Sequence, residues 1–198
     1  MSWEGQTLEY YDRNASTFIS GTLTADLDGV RHRFTGCLPQ NALILDFGCG
    51  SGRDTKEFIK AGYRVEAIDG SAELCAKASE YTGIQVRKMQ FNELEAQDTY
   101  DGVWACASIL HLPTAQLADV LKRIEAALKP GGMLYTSFKY GCFHGIRDGR
   151  YYTDFTEETL KVFWDKATSL RIIDTWVSQD FRTDRKETQW INLLAKRV

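Results

Sequence analysis

The sequence predicts an α/β fold, a three-layer sandwich in which helices cover both faces of a sheet. The clearest signal is the apolar run 43–45, which is followed by three alternating glycines and a helical segment, 53–61. Four further apolar runs alternate with helical segments along the chain. Two β-rich runs, 171–178 and 189–195, come last and predict an antiparallel hairpin. Strands that alternate with helices build a sheet enclosed by two helix layers.

Two helices are predicted before the first strand, because apolar residues recur at helical spacing from Leu8 to Ile19 and from Leu27 to Leu38. Farther along, Ser71 is a good N-cap residue for a helix, and Gly83 is placed to end that helix. The later strands are predicted at 63–68, 84–89, 100–106 and 133–138, and a Pro-Gly-Gly turn at 130–132 precedes the last of them.

The stretch after the fifth strand, 139–155, is predicted to be a loop because it is polar and rich in glycine and aromatic residues. A loop of this length usually has a function. Thr156 is expected to cap the helix that follows. The charged residues 180–186 are expected to connect the two strands of the final hairpin.

Length and composition limit the classes of protein. At 198 residues the chain is predicted to be one domain, 1–198, with a helical N-terminal region, 1–40, and a sheet-containing core, 41–198. The net charge of −3 provides no general attraction to nucleic acid or to an anionic membrane, so neither partner is expected. No apolar run approaches the roughly 20 residues of a membrane span, and no signal peptide is recognised at the start.

The cysteines and histidines favour a reduced, metal-free protein. The five cysteines are odd in number and contain no C-x-x-C pair, which predicts free thiols and a cytoplasmic location. The three histidines are too scattered for the spacing of metal ligands, although Cys142 and His144 lie close together. No metal site is therefore predicted.

The glycine turn and the acid before it indicate the kind of ligand. Gly48, Gly50 and Gly52 allow positive φ angles and close approach of a ligand to the main chain. A dinucleotide turn needs G-x-G-x-x-G, but Arg53 stands where the last glycine would be. Asp46 would repel a pyrophosphate and attract an ammonium group. S-adenosylmethionine has an ammonium and a sulfonium and no phosphate, so the pattern favours it over NAD.

Three stretches resemble the class I S-adenosylmethionine-dependent methyltransferases, in their small-molecule branch. Asp46 to Gly52 matches the first motif of the family, Arg64 to Ser71 its second strand with a terminal acid, and Leu128 to Gly132 a later turn. The resemblance implies a Rossmann-like, seven-stranded, mostly parallel sheet of order 3-2-1-4-5-7-6. It also implies S-adenosylmethionine as the cofactor, methyl transfer as the activity, and an N-terminal helix that folds over the cofactor as a lid, with Tyr11 at the methionine end.

The expected cofactor-binding residues lie mostly at the carboxyl ends of the strands. Asp69 is placed to accept hydrogen bonds from both ribose hydroxyls. Gln90 stands where the family usually has an acid against the adenine amine, and its amide oxygen can accept the same hydrogen bond. The full predicted set is Tyr11, Asp46, Gly48, Cys49, Gly50, Gly52, Arg53, Asp69, Gly70, Ser71, Gln90, Phe91 and Ala105.

The acceptor side has open alternatives. His111 follows the fourth strand, and it is either a general base or a histidine that caps the start of a helix. Ser108, Lys139 and Arg150 are predicted to bind the acceptor. Together with Arg147, the two cations either hold an anionic acceptor or form part of a solvated face.

Other functions also stay open: a module that binds S-adenosylmethionine without transferring its methyl group, a tRNA or protein methyltransferase, and a diverged nicotinamide-dependent oxidoreductase. Methyltransferases acting on exocyclic amines of bases usually have an Asn/Asp-Pro-Pro-aromatic run after strand four, where this chain has Ala105 to Ser108. No Pro-Cys nucleophile for cytosine occurs either. A small-molecule acceptor is therefore expected, and the sequence does not decide between a monomer and a dimer.

Overall fold

A computed structural model describes residues 3–182 and 187–198 of the chain, with side chains from residue 5 onward. The helices are α1 (Trp3–Thr22), α2 (Asp28–Thr35), α3 (Arg53–Lys60), α4 (Ala72–Thr82), α5 (Thr114–Ala127) and α6 (Glu157–Ala167), with short 3-10 helices at Phe91–Glu93 and Ile109–His111. The strands are β1 (Leu43–Phe47), β2 (Arg64–Asp69), β3 (Val86–Lys88), β4 (Tyr100–Ala105), β5 (Leu128–Lys139), β6 (His144–Arg147), β7 (Arg150–Thr153), β8 (Arg171–Gln179) and β9 (Gln189–Lys196).

Seven of the strands form one sheet of order β3-β2-β1-β4-β5-β9-β8. The first five are parallel, whereas β9 runs antiparallel to both β5 and β8. Because β6 and β7 pair only with each other, β8 and β9 are the sixth and seventh strands of this sheet. The predicted order 3-2-1-4-5-7-6 and the C-terminal hairpin are confirmed.

Alternate residues of the central strands pack into cores on opposite faces of the sheet, as the two-residue period of a strand requires. Ile44 and Trp104 join one core, which α2 and α3 cover with Phe34 and Phe58. Leu45 lies in the other core, which α5 and α6 cover. Both faces are buried, which confirms the three layers and explains why β1 is an uninterrupted apolar run.

The helix ends predicted from sequence are present. The Ser71 side chain accepts a hydrogen bond from the Leu74 amide at the start of α4, and Gly83 ends that helix with a φ of 80°. Thr156 caps α6 by accepting from the amide of Thr159. These caps satisfy helix-end amides that have no partner within the helix.

The stretch 139–155 differs from the predicted loop, because half of it is the β6–β7 hairpin. Asp148 and Gly149 form its turn, and both have positive φ angles, 52° and 76°. This is the backbone of a two-residue turn that matches the twist of a hairpin. Asp-Gly is a strong sequence signal for such a turn, so the hairpin was readable from the sequence.

Two other differences are small. β3 covers 86–88 where 84–89 was predicted. β5 begins at residue 128 because Leu128 and Met133, on either side of the Pro-Gly-Gly segment, both pair with β4 around a register shift. In the predicted connection 180–186, residues 183–186 lie outside those that the structure describes. Among the described helices, none combines the length and the apolar character needed to cross a membrane.

Candidate active site

A cavity of about 390 Å³ lies at the edge of the sheet where β1, β2 and β4 end. Its volume is that of a small-ligand pocket, for which about 300–1,000 Å³ is usual. The glycine turn after β1 forms its floor, and α1, the start of the 3-10 helix after β4, and residues of β5 and β7 form its walls. Open α/β sheets bind ligands outside the carboxyl ends of their strands, which is this edge.

The amides of the glycine turn are already hydrogen-bonded inside the protein. The N–H groups of Gly48 and Cys49 both donate to the Ile68 carbonyl, at 3.0 and 2.9 Å. The Gly50 N–H donates to Oδ2 of Asp69 at 2.9 Å. A pyrophosphate needs amides that point at its oxygens, so this turn does not fit a dinucleotide.

Asp69 closes β2 and is 9% exposed at the cavity. Its Oδ2 accepts from Gly50 and its Oδ1 accepts from the Ser71 amide, at 2.9 Å each. A carboxylate accepts about four hydrogen bonds, so two positions remain for donors of a ligand. Burial raises the pKa of Asp69 to about 6. A ligand that donates two hydroxyl groups would match this carboxylate.

Asp46 is the second carboxylate of the cavity and is 2% exposed. The Thr55 hydroxyl donates to its Oδ2 at 2.5 Å. Burial, with the nearby Asp54 carboxylate, raises the pKa of Asp46 to about 7. A cationic group beside Asp46 would restore its ionised form, whereas a phosphate would oppose it. We call Asp46 and Asp69 the acid end of the cavity.

Arg53 also lines the cavity, but its charge is used within the protein. Its guanidinium donates to Asp54 at 2.7 Å and to the Thr22 carbonyl at 3.1 Å. Asp54 in turn pairs with Arg31 at 2.6 Å. The neighbouring arginines hold the pKa of the Asp54 carboxyl below its usual value, although burial opposes them. Arg53 therefore joins the end of α1 to the start of α3.

Helix α1 lies directly over the glycine turn and the end of β2. A Cβ added at Gly70 would lie 2.7 Å from Cδ2 of Leu8. One added at Gly50 would lie 3.0 Å from the Phe18 ring. On the opposite side, a Cβ at Gly48 would lie 2.6 Å from Cβ of Ser108, and the φ of Gly48 is +85°. These positions therefore require glycine both for space and, at Gly48, for conformation.

His111 joins α1 to the β6–β7 hairpin. Its Nδ1 lies 2.6 Å from the Tyr151 carbonyl, and its Nε2 lies 2.7 Å from the Tyr11 hydroxyl. A carbonyl only accepts, so Nδ1 carries the proton, and Nε2 accepts from Tyr11. Burial lowers the pKa of His111 to about 3, and Arg150 and Lys139 add to the effect. The imidazole is thus neutral at physiological pH, and it ends the 3-10 helix Ile109–His111 rather than capping its start.

Three cations surround the Tyr152 ring at the other end of the cavity. From the ring centroid, Nζ of Lys139 lies at 4.4 Å, and the Cζ atoms of Arg147 and Arg150 lie at 4.6 and 5.4 Å. Arg147 forms an ion pair with Asp154 at 3.2 Å. We call Tyr152 with these three cations the Tyr152 cluster.

The cavity lining includes every predicted site residue except Gly52, Ser71 and Ala105. Gly52 faces α4, where an added Cβ would lie 2.7 Å from Cγ2 of Thr82. Ser71 caps α4 and donates to Asp12. Ala105 is fully buried in the core. The predicted residues that line the cavity are Tyr11, Asp46, Gly48, Cys49, Gly50, Arg53, Asp69, Gly70, Gln90, Phe91, Ser108, His111, Lys139 and Arg150.

Sequence reasoning missed several lining residues, among them Leu8, Phe18, Tyr152 and Asn192. Leu8 and Phe18 follow helical spacing, a pattern that predicts a helix but not a ligand contact. Asn192 is 1% exposed in the apolar strand β9, where it accepts from the Tyr135 hydroxyl at 2.7 Å. A lone amide within an apolar run was the available signal. Within the described residues, no group of three side chains could hold a metal ion.

A comparison with protein families finds that residues 44–132 match the methyltransferase domain family. This part of the chain carries a methyltransferase domain, and the predicted likeness to class I S-adenosylmethionine-dependent methyltransferases is confirmed. The two carboxylates of the acid end fit S-adenosylmethionine, the cofactor of that class. The turn amides that already donate within the protein fit it as well, because this cofactor has no phosphate.

Curated relatives match this methyltransferase domain over about half of the chain. The ubiquinone biosynthesis O-methyltransferase of Xanthomonas axonopodis pv. citri (strain 306) is 32% identical over 50% of this chain and 44% of its own length. The N-terminal Xaa-Pro-Lys N-methyltransferase 1 of Mus musculus is 32% identical over 46% of this chain and 44% of its own. The matches therefore cover less than half of each relative.

Solved structures share the fold over nearly the whole chain. The Burkholderia thailandensis 1,6-didemethyltoxoflavin-N1-methyltransferase, with bound 1,6-didemethyltoxoflavin and S-adenosylhomocysteine, has a TM-score of 0.72 at 24% identity, covering 96% of this chain and 89% of its own. The magnesium protoporphyrin IX methyltransferase of Synechocystis PCC 6803, with bound S-adenosylmethionine, has a TM-score of 0.74 at 18% identity, covering 100% and 98%. At these identities the likeness concerns the fold.

Proposed function

We propose that this protein transfers the methyl group of S-adenosylmethionine to a small-molecule acceptor. The observation that carries the proposal is the acid end, where two buried carboxylates face the cavity and the amides of Gly48, Cys49 and Gly50 already donate within the protein. S-adenosylmethionine supplies an activated methyl group on a cationic sulfur. The protein then has to bind, align and shield the reactants, and alignment alone can contribute about 7–11 kcal/mol.

The residues of the acid end would hold the donor along the sheet edge. The two unused acceptor positions of Asp69 suit the ribose hydroxyls, and the Asp46 carboxylate suits the ammonium group. Gln90 and Phe91 line the cavity beyond β3 and would contact the adenine. Tyr11 and Ser108 would lie near the methionine end, because α1 and the segment after β4 meet there.

The charge of the acceptor side favours a small molecule over a protein N-terminus. The relatives include an enzyme named for N-terminal Xaa-Pro-Lys sequences, whose substrate carries a lysine. In this chain Lys139 and Arg150 line the cavity beside Tyr152. Two cations at that position would repel a lysine-containing peptide. We therefore propose that Ser108, Lys139 and Arg150 contact a small acceptor.

Thermal unfolding tests the cofactor. S-adenosylmethionine and S-adenosylhomocysteine should each stabilise the protein, by about 2.7 kcal/mol when present at 100 times the dissociation constant. NAD should not, because the turn amides are occupied. Stabilisation by NAD alone would contradict the proposal and favour a nicotinamide-dependent enzyme.

A screen with radiolabelled S-adenosylmethionine tests the transfer. Pools of small metabolites, total tRNA and protein extracts serve as separate acceptors. Label should enter the small-molecule fraction, and fractionation of the product identifies the acceptor. Label that enters only tRNA or protein would overturn the small-molecule part. Binding of the cofactor without transfer to any pool would favour the non-catalytic binding module.

A further inference from the structure

We infer that the acceptor is an acid whose anionic group is bound by Arg150 and Lys139 beside Tyr152. The inference rests on the methyl transfer proposed above, because it identifies the ligand of the Tyr152 cluster with the acceptor. It adds a charge and a binding position that the proposed function leaves undefined.

The β6–β7 hairpin places two arginines directly opposite each other. Arg147 and Arg150 are cross-strand partners that flank the two-residue turn. Partners in an antiparallel pair project to the same face of the hairpin, and like charges in that position destabilise it. The short turn fixes this register, so the hairpin holds the two guanidinium groups close together.

A third cation reaches the same face from the sheet. Lys139 ends β5, and its ammonium lies 4.4 Å from the centroid of the Tyr152 ring. Asp154 lies beside them and forms an ion pair with Arg147. The Tyr152 cluster therefore brings three cationic side chains to one aromatic ring. The imidazole of His111, 4.8 Å from the same ring, is neutral and adds no further charge.

Two of the three cations face the cavity. Lys139, Arg150 and Tyr152 line it, whereas Arg147 does not and is instead held behind them by Asp154. The Arg150 guanidinium stacks 4.2 Å from the Tyr10 ring of α1, and its Nε is buried without a hydrogen-bond partner among the described residues. Arg150 is thus held at the cavity wall with unused hydrogen-bonding capacity.

These features match a carboxylate or a phosphate. Both present paired oxygens to the planar fork of a guanidinium, and both also accept from an ammonium group. The aromatic side chains that flank the cations exclude water, which strengthens the attraction between opposite charges. A neutral acceptor would gain no such charge attraction from Lys139 and Arg150.

Calorimetric titration in saturating S-adenosylhomocysteine tests the charge of the ligand. The probes are benzoate, phenyl phosphate and the neutral benzamide. At least one acid should bind about tenfold or more tightly than benzamide, and the tighter of the two acids identifies the preferred anion. Equal binding of all three, or no binding of either acid, would overturn the inference.

Binding of the acid by variants of Arg150 and Lys139 tests where its anionic group lies. Arg150→Gln and Lys139→Gln should each weaken binding of the acid about 10- to 100-fold, and Arg150→Lys should lose less than Arg150→Gln because it keeps the charge. Lys122→Gln, on the exposed face of α5, removes the same charge elsewhere and should bind the acid as the wild type does. Unchanged binding in both site variants, or an equal loss in Lys122→Gln, would contradict a local anion site.

Cofactor binding separates the two proposals and checks folding. S-adenosylhomocysteine should bind the site variants within about threefold of the wild type, because separated sites act almost independently. If the wild type did not bind S-adenosylhomocysteine, the proposed methyltransferase function would be wrong. Normal binding of S-adenosylhomocysteine without discrimination between acid and amide would remove only the anionic acceptor.

Discussion

The two ends of the cavity have opposite charge and are built in different ways. The acid end lies on the edge of the central sheet, and the turn beside it has its amides satisfied by Ile68 and Asp69. The Tyr152 cluster lies mainly on the β6–β7 hairpin, outside that sheet. The position of the donor is therefore fixed by the central sheet, whereas the position of the acceptor depends on the β6–β7 hairpin.

The polarity of the cavity also separates its ligands. A cationic donor is attracted to Asp46 and Asp69 and repelled by Lys139 and Arg150, and an anionic acceptor experiences the reverse. Opposite fields in one cavity therefore give each ligand a single favourable orientation.

The largest effect is expected at Asp69. Asp69→Asn keeps one acceptor oxygen, whereas Asp69→Ala removes both and leaves the ribose hydroxyls unpaired. Affinity for S-adenosylhomocysteine should fall in the order wild type, Asn, Ala, with Ala weaker by about 10- to 100-fold. Because Asp69 would bind far from the methyl group, kcat at saturating cofactor should fall much less than affinity. Calorimetric titration of the three proteins measures the order.

Glu95→Gln is the matched control for this series, because it removes an exposed negative charge. Its affinity should equal that of the wild type. Equal affinities across the Asp69 series would show that the carboxylate does not bind the ribose, and the donor would then have to lie elsewhere in the cavity.

The acid end should also make cofactor affinity depend on pH. The pKa of Asp46 is raised to about 7 and that of Asp69 to about 6, so acidification protonates both carboxylates. This removes the attraction of Asp46 for the ammonium group and weakens Asp69 as a hydrogen-bond acceptor. Affinity for S-adenosylhomocysteine should therefore fall by about twentyfold from pH 8 to pH 6, about tenfold of it through Asp46. In Asp46→Asn only about a twofold change, from Asp69, should remain.

Titrations in buffers of different ionisation enthalpy give an independent measure of this effect, because binding near pH 7 should release a proton. If affinity rose on acidification, or if Asp46→Asn kept the full pH dependence, the assignment of the ammonium group to Asp46 would be wrong.

The smallest effect is expected at His111, which lies between the two ends. His111→Gln can keep an acceptor towards Tyr11, whereas His111→Asn can keep only the donor towards the Tyr151 carbonyl. Acceptor KM should rise about 3- to 10-fold in the Asn variant and less in the Gln variant. The pH profile should keep its shape near pH 6–7, because the pKa of His111 is about 3 and the wild-type imidazole does not titrate there.

A double-mutant cycle with Tyr11→Phe tests whether the two residues act together. Tyr11→Phe and His111→Asn should give less than additive losses, because each removes the same hydrogen bond. A fall of about 10²–10⁴ in kcat with a lost limb near pH 6–7, in a folded His111→Gln variant, would instead identify a general base.

The acid end was predictable because its signals are local. Asp46, the alternating glycines and Asp69 follow one another within one strand–turn–helix–strand unit, and each residue type has a physical reason to be there. The role of His111 was not predictable, since its partner Tyr11 is 100 residues away and only packing brings them together. For the same reason the neutral state of the imidazole could not be inferred from sequence.

The Tyr152 cluster was predictable only in part. Lys139 and Arg150 were predicted from their charge, but their convergence on Tyr152 depends on the hairpin, which was interpreted as a loop. Reading Asp148 and Gly149 as a two-residue turn would have paired Arg147 with Arg150. It would not have placed Tyr152 or Lys139, because tertiary contacts of the hairpin with β5 and α1 decide their positions.

Helix α1 covers Gly50 and Gly70, and this cover affects the rate at which the product cofactor is released. Leu8 and Phe18 are pressed against these glycines, so we expect a molecule bound at the acid end to leave faster when α1 loosens. Release of S-adenosylhomocysteine, rather than the methyl transfer itself, would then limit turnover. Amide hydrogen exchange in α1 should slow when S-adenosylhomocysteine binds, since opening of the helix and escape of the product are the same motion.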